Sequence, residues 1–428
     1  MENYQFLLDI AIILLCTKVL GIITKRFQMP QVVGALLGGL LLGPALFGII
    51  KETSLIHQIS EIGVIVLMFC AGLETDIREL KKTGKAAFLI ALMGVLIPLA
   101  GGFGIAFIFN RPGIIESNIN TSVFLQNMFI GVILTATSVS ITVETLKELG
   151  KLNTRSGNAI LGAAIIDDIL GIIALTIITG LADSSINVLL VLLKIIGFFI
   201  FCIPVGIFFY FIFKKWTNMY NKDMRRFTII AFVFCLVMSY IAETFFGVAD
   251  ITGAFIAGLI ISNSQKNEYI ASKFDTLSYM FLSPVFFASV GLKVELPNMN
   301  HSILIFAVIL VIVSCLTKIV GCGLGAKLCK YTTKESLQIG VGMISRGEVA
   351  LIVASKGNSV GLMSPNFLGP IVVVVVFTTI VAPVLLKLSF KSDNNESTKK
   401  DNLFAEPYEE LLDYQRNYDI EKRKVINE

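Results

Sequence analysis

Apolar residues along this chain gather in runs of about 20, long enough as helices to cross the ~30 Å hydrocarbon core of a bilayer. Short charged or turn-rich breaks separate the runs. Marking them predicts thirteen helices, near residues 5–23, 30–50, 57–73, 86–109, 124–146, 156–181, 187–213, 227–247, 250–262, 276–292, 302–329, 335–355 and 366–390. An outer-membrane barrel would instead alternate apolar and polar positions over strands of about ten residues. The pattern predicts an all-α polytopic membrane protein. Its first run lacks the basic start and small-residue cleavage site of a signal peptide and leads into further spans.

Composition agrees with the pattern. Hydrophobic types make up 55% of the 428 residues and charged types 15%, with a mean hydropathy of +0.80. A soluble domain carries roughly 25% charged residues to cover its surface. The seven cysteines show no CxxC and no ligand-like spacing, so they read as packing residues. The two histidines, His57 and His301, lie near predicted helix ends. Proton chemistry near neutral pH therefore falls to carboxylates or lysines.

Charge placement tests the helix count. Lys25/Arg26, Arg78 to Lys85, Lys147/Lys151/Arg155, Lys214 to Arg226, Lys266/Lys273, Lys330/Lys334 and the tail from Lys391 fall on one side. The alternate loops hold little beyond Lys51, Arg111, Lys293 and Lys356. Cytoplasmic loops carry the Lys/Arg excess, which predicts an N-terminus outside and a cytoplasmic C-terminus. Two domains are expected: a transmembrane domain over 1–390 and a charged cytoplasmic tail over 391–428. The tail has no Gly-rich phosphate loop and is too short for a nucleotide-binding domain. No nucleic-acid partner is implied.

An odd helix count permits an inverted repeat, helices 1–6 matching 8–13 with 7 as linker. Transporters built this way place their sites at the midplane, where helices are interrupted. Helices 5 and 12 are then the ones to examine. They carry TATSVSIT (135–142) and GMISRGE (342–348), polar, β-branched or glycine-containing patches in mid-span. Both are expected to be discontinuous.

Charges at the bilayer centre cost about 2.5–3.5 kcal/mol each on insertion scales, so each needs a reason. Asp167 and Asp168 lie mid-helix in AAIIDDILGII. Adjacent helical residues point about 100° apart, so one carboxylate can face a water-filled cavity while the other faces a neighbouring helix. Lys318 lies well inside helix 11, on one face with Cys315, Cys322, Gly325 and Cys329. Small residues there let another helix approach closely, and an aspartate of helix 6 is the natural partner of the lysine. Arg346 and Glu348, beside the second break, are expected to form supporting ion pairs, with Glu74, Glu144 and Glu243 as candidate partners.

This set points to ion exchange. A hard monovalent cation takes oxygen ligands, which an aspartate of the pair, the hydroxyls of Thr137 and Ser138 and freed carbonyls at the helix 5 break would supply. Proton and cation then compete for one carboxylate, and a paired lysine couples the titrations. No ATP motif, metal cluster or nucleophile triad is present in the sequence, so an ion gradient is the expected energy source, with no cofactor and no enzymatic step.

At these residues the chain resembles the monovalent cation:proton antiporter family 2, bacterial sodium/proton exchangers. The resemblance runs from about residue 5 to 390. It is carried by PQVVGALLGGLLLGP (30–44), FCAGLETDIREL (69–80), TATSVSIT (135–142), IIDDILG (165–171), SPVFFASVGLKVEL (283–296) and ISRGEVALIVA (344–354). It implies a lipid-embedded homodimer with a dimerisation scaffold and a mobile core that moves like an elevator. Asp168 matches the family's ion-binding aspartate, Asp167 its neighbour, and Lys318 the lysine that pairs with that neighbour. An Asp-Asp-Lys set resembles the electrogenic branch. The implied substrate is Na+ (with Li+), the alternative K+ or mixed exchange, and a channel or membrane sensor stands further off.

Overall fold

The computed structural model describes residues 4–391 apart from 28, 112, 116–118, 120, 183–186, 220–224, 265 and 295–299. Residues Met1–Lys387 form one unit. The tail expected over 391–428 lies, from 392 onward, outside the described residues.

Helices follow the apolar runs. They are α1 (Gln5–Arg26), α2 (Gln31–Leu42), α3 (Ser54–Glu74), α4 (Ile77–Phe109), α5 (Val123–Ile133), α6 (Val139–Glu148), α7 (Arg155–Ala182) and α8 (Val188–Met219). Then come α9 (Arg225–Ile241), α10 (Asp250–Ser262), α11 (Asn267–Leu277), α12 (Ser283–Leu292), α13 (His301–Leu328), α14 (Thr333–Gly342), α15 (Glu348–Ser359) and α16 (Leu368–Phe390). Among the described residues nine helical stretches are long and apolar enough to cross a membrane, and three shorter apolar helices accompany them.

The departures from the predicted boundaries have local causes. The second run stops being helical at Leu42, because Gly43 turns extended ahead of Pro44. The fourth begins at Ile77 rather than 86: Asp76 caps it, its side chain accepting from the Arg78 amide at 2.7 Å. Its first turns, too polar to read as membrane, are still helix. The tenth begins at Asn267 rather than 276 and passes through a π-helical turn at Ser278–Leu282 before Pro284 opens α12.

Packing sorts the helices into two groups. In one, α1 lies on α2 and α12, α2 on α12, and α3 on α9, α10, α11 and α12. In the other, α4 is central, lying on α5, α7 and α13, with α14 on α7 and α13 and α15 on α5. Each has its own apolar core: Val33, Leu36, Leu67, Phe286 and Val290 in the first, Phe129, Ile133, Leu134, Phe306 and Ala350 in the second. Helix α6 packs on α7 of its own group and also on α2 and α3 of the other. Outward, α1 and α8 expose large apolar side chains such as Leu15 and Phe208, each 67% exposed, as a lipid-facing surface does.

Candidate ion-binding site

Two interrupted helices meet at the centre of the second group, as the polar patches predicted. Helix α5 ends at Ile133 and α6 starts at Val139; α14 ends at Gly342 and α15 starts at Glu348. Every helix end leaves backbone groups without intrahelical partners, and here the two breaks supply one another. The Ser138 amide donates to the Ser345 carbonyl at 2.7 Å. The Ser345 hydroxyl donates to the Ser138 carbonyl at 2.9 Å, and the Thr142 hydroxyl to the Gly342 carbonyl at 2.7 Å. Gly347 makes the approach possible, since a Cβ there would stand 2.7 Å from the Ser138 Oγ. Helix α16 braces the second break: the Thr379 hydroxyl donates to the Arg346 carbonyl at 2.6 Å.

Arg346 sits in this crossing at 1% exposure. The expected carboxylate partners are not there, and this corrects the sequence reading. Its guanidinium donates to backbone carbonyls instead: Nη1 to Ile344 at 2.8 Å, and Nη2 to Leu134 at 2.6 Å and Ser314 at 3.4 Å. Leu134 and Ile344 are the carbonyls freed just past the C-termini of α5 and α14. Each of those ends carries about half a negative charge, so one cation answers both. Of the carbonyls freed at the first break, those of Leu134 and Ser138 already accept hydrogen bonds, from Arg346 and Ser345.

Beside the crossing, α7 brings up the two aspartates and α13 the lysine. Lys318 is fully buried, its ammonium 2.9 and 3.0 Å from the two carboxylate oxygens of Asp167, itself 2% exposed. Helix α4 closes over the pair. Gly321 lets α13 press against it, for a Cβ there would lie 2.7 Å from the Met93 carbonyl. Asp168 points elsewhere, as adjacency on a helix requires. It is less buried than Asp167 and makes no hydrogen bond or ion pair with any described residue. Thr137 and Ser138, in the first break, are buried at 3% and 8% exposure.

The other predicted charges stand apart. Glu348, first residue of α15, meets Lys293 at 3.1 Å, and Lys293 also meets Glu52 at 3.5 Å. Glu74 ends α3 and meets Lys147 of α6 at 2.9 Å, so it does not join Arg346. Sequence reading missed Lys147, Glu148 and Lys293 as partners, having taken Lys147 and Lys293 as loop charges that mark topology. For Lys147 a signal was available in Glu74, an acid at the end of a predicted helix; the backbone partners of Glu148 left none.

Residues 10–391 match the family model described as sodium/hydrogen exchanger, transmembrane. The chain belongs to that family. It is a multi-pass membrane protein, and its relatives are antiporters. It is 37% identical over 389 residues to the Na(+)/H(+)-K(+) antiporter GerN of Bacillus cereus, an alignment covering 91% of this chain and 97% of that one. It is also 37% identical over 394 residues to an Na(+)/H(+) antiporter of Enterococcus hirae, covering 90% and 97% respectively. The fold is that of the solved sodium proton antiporter MjNhaP1 from Methanocaldococcus jannaschii. That match has a TM-score of 0.65 at 22% identity and covers 91% of this chain and 97% of that one.

Proposed function

We propose that this chain is a secondary active antiporter exchanging Na+, or Li+, for H+ across the cell membrane. The observation that carries the reading is the unequal state of two adjacent aspartates: Asp167 is engaged by Lys318, and Asp168 makes no hydrogen bond or ion pair with any described residue. An unpartnered carboxylate at a helix crossing holds one positive occupant at a time, a proton or a hard cation. The hydroxyls of Thr137 and Ser138 stand as its supporting oxygen ligands. A cation arriving at Asp168 repels the neighbouring Lys318 ammonium, so a lysine proton leaves in the same cycle and net charge crosses. Exchange needs no cofactor beyond the two ions.

The same reading assigns the remaining organisation. Helices around α4 form a mobile core carrying the site, and helices around α3 a scaffold that dimerises. The core moves like an elevator between the two faces. The N-terminus lies outside and the tail after residue 390 in the cytoplasm. Similarity to the Na(+)/H(+)-K(+) antiporter GerN of Bacillus cereus supports mixed Na+/K+ exchange as the second reading.

Transport in proteoliposomes at clamped membrane potential, comparing Na+, Li+ and K+, tests both. Asp168→Asn is expected to abolish exchange with every cation while the folded protein persists; full retained activity overturns the site. A response to K+ alone overturns Na+ as substrate.

A further inference from the structure

Helix α6 begins at the crossing, with Ser138 as its N-cap, and ends at Glu148. Its near end belongs to the candidate site. Its far end is tied to the other helix group by two side chains that the exchange chemistry does not use. The Glu148 carboxylate accepts from the Gln31 amide at 2.7 Å and from the Val32 amide at 3.0 Å, capping the N-terminus of α2. Those amides have no helical partner of their own, and the helix dipole there favours an anion. One residue earlier, Lys147 meets Glu74 of α3 at 2.9 Å and pairs with Asp275 of α11 as well. Gln31, Glu74 and Asp275 all lie in the first helix group, and α6 in the second.

We propose that Glu148 and Lys147 are positioning residues: a clamp that fixes the far end of α6 to the scaffold and so holds the site-bearing half-helix in this arrangement of the two groups. Charge-assisted hydrogen bonds of this length are about twice as strong as neutral ones. They also need close geometry, so any slide of one group past the other breaks them. A cavity of about 60 Å³ lies alongside, lined by Thr17, Lys18, Gln31, Glu144, Glu148 and Ser283. It leaves open space beside the Glu148 carboxylate, on a lining that also includes Val32, Ala35, Pro284 and Phe287. The clamp is thus a stop that opens in each cycle. The opposite end of the boundary carries its own tie, Lys293 of the first group to Glu348 of the second at 3.1 Å. Both ties are closed in the same structure, so they hold one arrangement together rather than alternating.

This inference rests on the reading that the groups move against each other. Its test reads arrangement without transport, so loss of the clamp and loss of antiport are separate results. In a background with the seven native cysteines replaced, Lys293→Cys and Glu348→Cys report the arrangement at the opposite end through their rate of cross-linking by a short bifunctional thiol reagent. Adding Glu148→Ala or Lys147→Met is expected to slow that cross-linking by about tenfold, the effect of one lost charge-assisted hydrogen bond. Glu148→Gln keeps an acceptor oxygen and should fall between. An unchanged rate in folded protein overturns the clamp. Should Glu148→Ala fail to fold, Glu148→Gln carries the test, its rate equal to the parent's giving the same refutation.

Discussion

Lys318 and Arg346 are the two cations buried beside the helix crossing, at 0% and 1% exposure, and they are held by opposite means. Lys318 faces one carboxylate, with both oxygens of Asp167 at 2.9–3.0 Å. Among the described residues the Arg346 guanidinium donates to backbone carbonyls alone, those of Leu134, Ile344 and Ser314. The difference decides which charge is adjustable. An arginine does not deprotonate in proteins, and carbonyls do not titrate. The charge at the crossing is therefore permanent. A lysine and an aspartate can each give up or take a proton. The Lys318–Asp167 pair is therefore where charge can change during a cycle, immediately beside Asp168 in the chain.

The largest effect comes from taking one member of the titratable pair. Lys318→Ala leaves the Asp167 carboxylate buried and unpaired, a loss of about 3–5 kcal/mol by the usual measure of a broken buried ion pair. Thermal unfolding in detergent reads it. Combining Lys318→Ala with Asp167→Asn removes the uncompensated charge and should restore part of the loss. The current under clamped potential should vanish in both variants; a current equal to that of the parent removes Lys318 from the charge-moving step.

Arg346 is expected to behave differently. Arg346→Ala strips donors from carbonyls of two half-helices, at about 1–3 kcal/mol for each buried acceptor left unsatisfied, and no single partner change restores it, because its acceptors among the described residues are backbone carbonyls. Arg346→Lys keeps the charge but not the planar fork that reaches both helix ends. It should unfold below the parent temperature and above Arg346→Ala. If a carboxylate substitution elsewhere rescued Arg346→Ala, the contrast between the two cations would collapse.

Glu348→Gln marks the small end of the scale. Its side chain is 20% exposed, and Lys293 keeps Glu52 at 3.5 Å. A partly solvated pair of this kind contributes about 0.2–1 kcal/mol, so its unfolding temperature should barely move. A loss as large as that of Lys318→Ala would mean that the tie belongs with the buried charges.

Much of this was legible in the sequence, because membrane helices announce themselves by length and polarity. A helix lies at each of the thirteen predicted runs, and both interruptions fall inside the patches TATSVSIT and GMISRGE. The juxtaposition of Lys318 with helix α7 was legible from two isolated buried charges that each needed an opposite. Arg346 was misread for a physical reason: sequence lists side chains, and its acceptors are main-chain groups exposed only because the helices break. The ties made by Lys147, Glu148 and Lys293 were hidden likewise. A lysine near a helix end reads as a topology marker, and nothing local says that it turns inward across a group boundary. The start of α4 at Ile77 was lost because a polar helical turn at the membrane surface resembles a loop.

The stitching of the two breaks bears on how the chain is made. Ser138 and Ser345, which satisfy each other, are 207 residues apart. The half of the chain synthesised first therefore enters the bilayer with the Ser138 amide and the Leu134 carbonyl unanswered, and hydrocarbon offers them no water. Until the ribosome has delivered residues 342–348, α5 and α6 need a substitute host, in the insertion machinery or in neighbouring helices. A truncation ending before α14 would strand that seam permanently. The crossing is completed late in synthesis, and quality control that recognises unsatisfied polar groups in the membrane has about half of the chain's synthesis in which to act.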